Sequence, residues 1–77
     1  MVTAYVLLVT GAGEERRILK DLMERREVKE GYVVYGEYDI ILKVEADNLR
    51  ELDQFISEEI RESSPIQMTS TLISVEE

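Results

Sequence analysis

Hydrophobic periodicity divides the chain into six segments, four with the two-residue period of strands and two with the spacing of helices. Val2 to Thr10 is almost continuously apolar or β-branched and predicts a first strand. Val2, Ala4, Val6 and Leu8 fall on one face; Thr3, Tyr5, Leu7 and Val9 fall on the other. A sheet with helices on one side alternates apolar and polar positions, so a strand apolar on both faces is central and has its second face covered as well. A chain of 77 residues is too short to supply that cover itself, and a partner subunit is the expected lid.

Gly11-Ala12-Gly13 predicts a turn into a helix over Glu14 to Arg26, with Ile18, Leu19, Leu22 and Met23 as its apolar stripe. Glu14 and Glu15 in the first turn and Arg25 and Arg26 in the last follow the helix dipole. A glycine turn before a helix can hold phosphate, but two glutamates follow at once and the Lys-Ser/Thr of a P-loop is missing, so helix entry is the expectation. Val28 to Glu37 and Tyr38 to Ala46 predict the second and third strands, a hairpin pivoting near Gly36-Glu37. The alternative puts the turn at Lys29-Glu30-Gly31 and makes Gly36 a bulge. Ile40, Leu42 and Val44 share one face of the third strand, and Asp39, Ile41, Lys43 and Glu45 the other.

Asp47 is the expected N-cap of a second helix, Asn48 to Glu62, with Leu49, Leu52, Phe55, Ile56 and Ile60 facing inward. Glu51, Asp53, Glu58, Glu59 and Glu62 make its other face acidic and solvated. Ser63-Ser64-Pro65 ends it, because proline disfavours helical geometry in the residue before it. The last strand runs from Gln67 to Val75, with Thr69, Thr71 and Ile73 on one face and Met68, Ser70, Leu72 and Ser74 on the other; Glu76 and Glu77 form a solvated tail. The order β-α-β-β-α-β is the split βαβ pattern of the ferredoxin-like α+β sandwich. It places both helices on one face of a four-stranded antiparallel sheet and leaves the other face open for a second copy.

Composition narrows what such a domain does. The net charge is −8, from 17 acidic and 9 basic residues, which argues against phosphate backbones and anionic membranes as partners. There is no cysteine and no histidine, so disulfides and the usual zinc and iron ligand sets are excluded. No apolar run reaches the ~20 residues of a membrane span, and Met1-Val2-Thr3-Ala4-Tyr5 lacks a basic leader, so the cytoplasm is the expected compartment. One small domain without such staples is expected to oligomerise. No cofactor is implied. Serine or cysteine hydrolysis needs a nucleophile beside a base, and no catalytic constellation is visible. RNA-binding sheets of this topology stack aromatics on a basic background, and here Tyr32, Tyr35 and Tyr38 lie on an acidic one.

The polar residues that stand out are in Val33-Val34-Tyr35-Gly36-Glu37-Tyr38-Asp39-Ile40-Ile41-Leu42-Lys43-Val44. Asp39 is a carboxylate entering an apolar strand, so it either sits at the strand mouth in water or has a partner. This segment resembles the Gly-acid-aromatic-Asp segment of the leucine-responsive Lrp/AsnC (feast/famine) regulators. Pro65-Ile66-Gln67-Met68-Thr69-Ser70-Thr71-Leu72-Ile73 is similar to that family's closing Thr-x-Thr strand. The resemblance covers nearly the whole chain, as the family's C-terminal regulatory (RAM) domain alone. It implies a ferredoxin-like fold, dimers formed through the sheets, and rings of dimers, often octamers, with amino-acid effectors in clefts between dimers. Carried over, Gly36 and Tyr38 offer backbone groups to the ligand, Asp39 meets its ammonium, and Thr69 and Thr71 approach from the last strand. Two departures stand out. The family's helix-turn-helix is missing, which makes a stand-alone module the expectation, and the family's Pro-Gly-Val turn reads Pro65-Ile66 here. The implied role is a non-enzymatic amino-acid sensor that co-assembles with a full-length regulator. A small dimeric enzyme using the open sheet face as a pocket is the alternative, and a ligand-free oligomerisation domain a third.

Overall fold

Strand β1, Val2–Thr10, has the bounds that its apolar run predicts. The computed structural model describes residues 1–61 and 66–75. Helix α1 follows at Glu15–Leu22, then strands β2 (Val28–Val33) and β3 (Ile40–Ala46), helix α2 (Leu49–Phe55), a π-helical turn at Ile56–Ile60, and strand β4 (Ile66–Ile73). The sheet order is β2-β3-β1-β4 and every neighbouring pair is antiparallel. This is the ferredoxin-like arrangement, with β1 and β3 central and β2 and β4 at the edges. The expected end of the second helix at Ser63-Ser64-Pro65 and the acidic tail lie outside the described residues.

The register explains the two faces. Ala4, Val6 and Leu8 of β1 lie beside Ile40, Leu42 and Val44 of β3, and all six are fully buried under the helices. Ile18 and Leu22 of α1 and Leu52, Phe55, Ile56 and Ile60 of the second helical segment complete this core. Thr3, Tyr5, Leu7 and Val9 point the other way, with Ile41 and Tyr32 beside them on one side and Met68, Ser70 and Leu72 on the other. Tyr5 is 38% exposed and Tyr32, Met68 and Leu72 are each more than half exposed, so this apolar face is open in one chain.

Several boundaries differ from the pattern-based expectation, each for a local reason. α1 stops at Leu22 because the chain must turn back to β2: Arg25 N–H donates to the Leu22 carbonyl (3.0 Å) and Val28 N–H to the Arg25 carbonyl (3.1 Å). Arg25 then reaches across to the second helical segment, its Nε donating to Glu59 Oε1 at 2.9 Å. The N-cap of α2 is Asn48 and not Asp47: its backbone is extended and its Oδ1 accepts from Glu51 N–H at 2.9 Å. Leu49, placed on the inner face by periodicity, is 57% exposed. The hairpin is wider than a tight turn at Gly36-Glu37, with residues 34–39 as its loop. The register irregularity between β2 and β3 falls between Val28 and Glu30, not at Gly36.

α1 packs closely on β2 because position 31 has no side chain. A Cβ at Gly31 would lie 2.7 Å from Leu19 Cδ1, 2.8 Å from Met23 Sδ and 2.9 Å from Leu42 Cδ2. All three are ends of flexible side chains, so alanine is accommodated by rotamer shifts. A β-branched residue leaves less room to adjust. Gly31→Val is expected to destabilise the fold by about 1–3 kcal/mol, the scale of core overpacking, and more than Gly31→Ala, as a lower urea midpoint at unchanged slope.

Candidate functional site

The candidate site is organised by Asp39, which closes the loop between β2 and β3. Its backbone N–H donates to the Leu8 carbonyl and its own carbonyl accepts from Val34 N–H, both at 2.8 Å. Its Oδ2 accepts from Thr10 N–H at 2.9 Å. The half-buried carboxylate is thus partnered by a backbone amide at the end of β1. A carboxylate can accept about four hydrogen bonds, and Oδ1 has no partner among the described residues. Gly36, in the same loop, has φ +128°, a conformation that side chains rarely adopt, and nothing lies within 4 Å of where its Cβ would be. Backbone geometry, not crowding, selects glycine there. Tyr38 is half-buried, and Tyr35 and Glu37 are exposed.

The two threonines arrive from β4 on the helix-facing side. Thr69 stands opposite Leu8 and Thr71 opposite Val6, both half-buried. Leu8 is also the residue whose carbonyl receives Asp39 N–H, so Asp39 and Thr69 flank β1 at one level, two strand spacings or roughly 10 Å apart. Thr71 lies two residues further along and lines a cleft between α2 and β4 with Leu49, Leu52, Asp53, Ile56, Arg61 and Ile73. That cleft has a volume of about 280 Å³. Two more polar clefts lie along the helices near Arg26 and Glu27. None of these three clefts takes in Gly36, Tyr38 or Asp39. The structure therefore brings the Asp39 loop and Thr69 to one end of the sheet and gives Thr71 to a neighbouring cleft.

Thr10, Asp53 and Arg61 were not singled out by sequence. Thr10 is the buried polar residue among those described, 6% exposed, and its amide is the partner that Asp39 required. The signal for it is indirect: a carboxylate beside an apolar strand needs a donor, and the free N–H at the end of a central strand is a ready one. The chemistry elsewhere is structural. Tyr32 Oη donates to Glu30 Oε1 at 3.0 Å, which raises the phenol pKa, and the bond from Arg25 to Glu59 does the same for that guanidinium. At the entry to α1, Gly13 N–H turns to Glu15 Oε2 at 3.4 Å. Among the described residues no acidic cluster is arranged to hold a metal ion, and no helix is long and apolar enough to cross a membrane.

Because Asp39 ties the loop to β1, its removal has a structural effect independent of any ligand. Asp39→Ala leaves Thr10 N–H unpaired and is expected to destabilise the chain by about 1–3 kcal/mol. Asp39→Asn retains an acceptor at Oδ and should lose clearly less. Urea unfolding of the two variants side by side reads the difference.

Comparison with known proteins gives the geometry a family. The model for the Lrp/AsnC ligand binding domain matches residues 3–77. The regulatory protein AsnC of Haemophilus influenzae is 33% identical over 70 residues, covering 91% of this chain and 47% of that protein. The chain spans about half, or less, of the length of the curated relatives that it matches. Among solved structures, hypothetical protein PHS023 from Pyrococcus horikoshii is 60% identical with a TM-score of 0.94, covering 100% of this chain and 93% of that one. The regulator NMB0573 of Neisseria meningitidis, solved as a complex with L-Met, shares the fold at a TM-score of 0.88 and 15% identity, covering 99% of this chain and 51% of that one. A sheet of order β2-β3-β1-β4 under two helices, matched by the family model over nearly its full length, places the chain in the Lrp/AsnC ligand-binding domain family.

Proposed function

We propose that this chain is a non-enzymatic effector-binding and oligomerisation module of the cytoplasm. On this reading it binds a free amino acid, pairs through its open sheet face into dimers and rings of dimers, and modulates a full-length regulator of its family by co-assembly. The observation that carries the proposal is the open face. Tyr5, Leu7, Val9, Ile41, Tyr32, Met68 and Leu72 share the open face with Lys43 and Ser70, a largely apolar surface on a chain with a net charge of −8. A monomer rarely leaves such a patch in water.

For the ligand, Asp39 Oδ1 supplies an acceptor for an ammonium, and the exposed backbone around Gly36 and Tyr38 supplies polar groups beside it. Thr69 and Thr71 supply hydroxyls. Asp39 and the threonines do not line one common cleft in a single chain, which fits a site completed between protomers. The amino-acid complex of NMB0573 supports the ligand class. An effector alters assembly only by binding one assembly state more tightly than another.

Light scattering during size exclusion, with and without pooled amino acids, tests both halves of the proposal. The expected result is a particle of several subunits whose size or cohesion changes with one amino acid. Leu7→Glu, at the centre of the open face, should release monomers. In titration calorimetry Asp39→Asn should weaken amino-acid binding by about tenfold or more, the scale of a charge-assisted hydrogen bond. A monomeric wild type would remove the assembly reading; unchanged affinity in Asp39→Asn would remove Asp39 from the site.

A further inference from the structure

The cleft between α2 and β4 differs in character from the other two. Leu49, Leu52, Ile56 and Ile73 give it a mainly apolar lining, and two opposite charges sit on its rim, Asp53 and Arg61. Neither of those side chains has a hydrogen-bond or ion-pair partner among the described residues. Elsewhere on the helices Arg17 pairs with Glu14 and Arg25 with Asp21 and Glu59, while Arg16, Lys20 and Arg50 have no such mate among the described residues. Asp53 and Arg61 line one cleft, each without such a partner among the described residues.

The helix geometry explains how they come to share it. In a regular α-helix residues eight apart are offset by about 80° around the axis. The π turn at Ile56–Ile60 lies between them, and the Arg61 N–H donates to the Ile56 carbonyl, five residues back, at 2.8 Å. A turn closed five residues back contains one extra residue. That extra residue takes up roughly the rotation of one position, about 100°, and largely cancels the offset. The π turn thus carries Arg61 round to the side of Asp53 while Ile56 and Ile60 remain buried.

We infer that this cleft is itself an amino-acid subsite, with Arg61 receiving the ligand's carboxylate and Asp53 its ammonium. Thr71 also lines the cleft, and the apolar walls select an aliphatic side chain. Opposite charges flanking an apolar groove complement a zwitterion: each charged end finds a partner and the side chain leaves water. A fatty acid would leave Asp53 facing a methyl group, and an alkylamine would leave Arg61 unmatched. The volume of about 280 Å³ lies near the lower limit for ligand cavities, which suits a single amino acid. The inference rests on the amino-acid-binding reading above but assigns recognition to different residues, within one chain.

The test is a titration of the whole chain with L-leucine, followed by calorimetry and by amide chemical shifts, on wild type, Arg61→Gln, Asp53→Asn and Asp39→Asn. Asp53 and Arg61 are exposed, so both of their variants should fold, which thermal unfolding confirms independently. The expected result is a loss of about tenfold or more in affinity for Arg61→Gln and for Asp53→Asn. Shifts should centre on residues 49–61 and 71–73 and persist in Asp39→Asn. Isocaproate, which lacks the ammonium, should bind at least tenfold more weakly than leucine to wild type and no more weakly to Asp53→Asn. Full affinity in Arg61→Gln and Asp53→Asn, with loss only in Asp39→Asn, would overturn the inference and leave the interface site standing. Absence of binding to wild type by leucine, methionine, isoleucine and valine alike would overturn both.

Discussion

Everything in this molecule follows from a central strand that is apolar on both sides. The row of Ala4, Val6 and Leu8 must be hidden from water, and the two helices with the matching row of β3 hide it completely. At roughly 25 cal/mol per Å² of apolar surface buried, this is the dominant favourable contribution to a fold with one modest core. The same alternation sends Tyr5, Leu7 and Val9 to the opposite face, where one chain has nothing to cover them. The device that stabilises the protomer leaves an adhesive surface as its by-product. In this architecture, the strand that builds the core is also the strand that carries the uncovered face.

The Asp39 loop shows how a polar element is attached to such a core without a buried ion pair. Removing a carboxylate from water is unfavourable unless hydrogen bonds replace those lost. Here the replacement is a backbone amide, and the two remaining bonds of Asp39 are main-chain bonds to Leu8 and Val34. The loop is held by bonds that do not depend on a particular partner side chain, and one carboxylate oxygen remains to face outward. A residue can therefore be structural through one oxygen and available through the other, which is why Asp39→Asn is more informative than Asp39→Ala.

Much of the fold was legible in the sequence. The first strand, the six-element order and the face assignments of the first, third and last strands follow from alternation, because a sheet's period of two leaves little freedom once one face is buried. Helix ends were less legible. Asp47 and Asn48 are both good caps, and only the reach of Asn48 to Glu51 N–H distinguishes them. Leu49 obeys the helical period yet lies at the first position of α2, where it is exposed. The π turn leaves no mark in a hydrophobic pattern, since Ile56 and Ile60 are buried inside it as they would be in an α-helix. For the candidate site, Asp39 was conspicuous as a charge among aliphatic residues. Its partner Thr10 was not, because a main-chain amide is the same whatever the residue. Asp53 was expected on the solvated acidic face and Arg61 drew no expectation; both line one cleft.

The edge strand β4 has a consequence for the fate of the chain in solution. Its eight residues, Ile66 to Ile73, carry no charge. The other edge, β2, carries Lys29 and Glu30, the usual guard against unwanted strand addition. An uncharged edge is a template on which another chain can extend the sheet, and what opposes it is the mutual repulsion of copies that each carry −8. That repulsion is long-ranged only where counterions are sparse, with a screening length of about 30 Å at 0.01 M salt and about 8 Å at 0.15 M. Colloidal behaviour is thereby coupled to ionic strength: the molecule is guarded against fibrous self-association by its medium as much as by its shape.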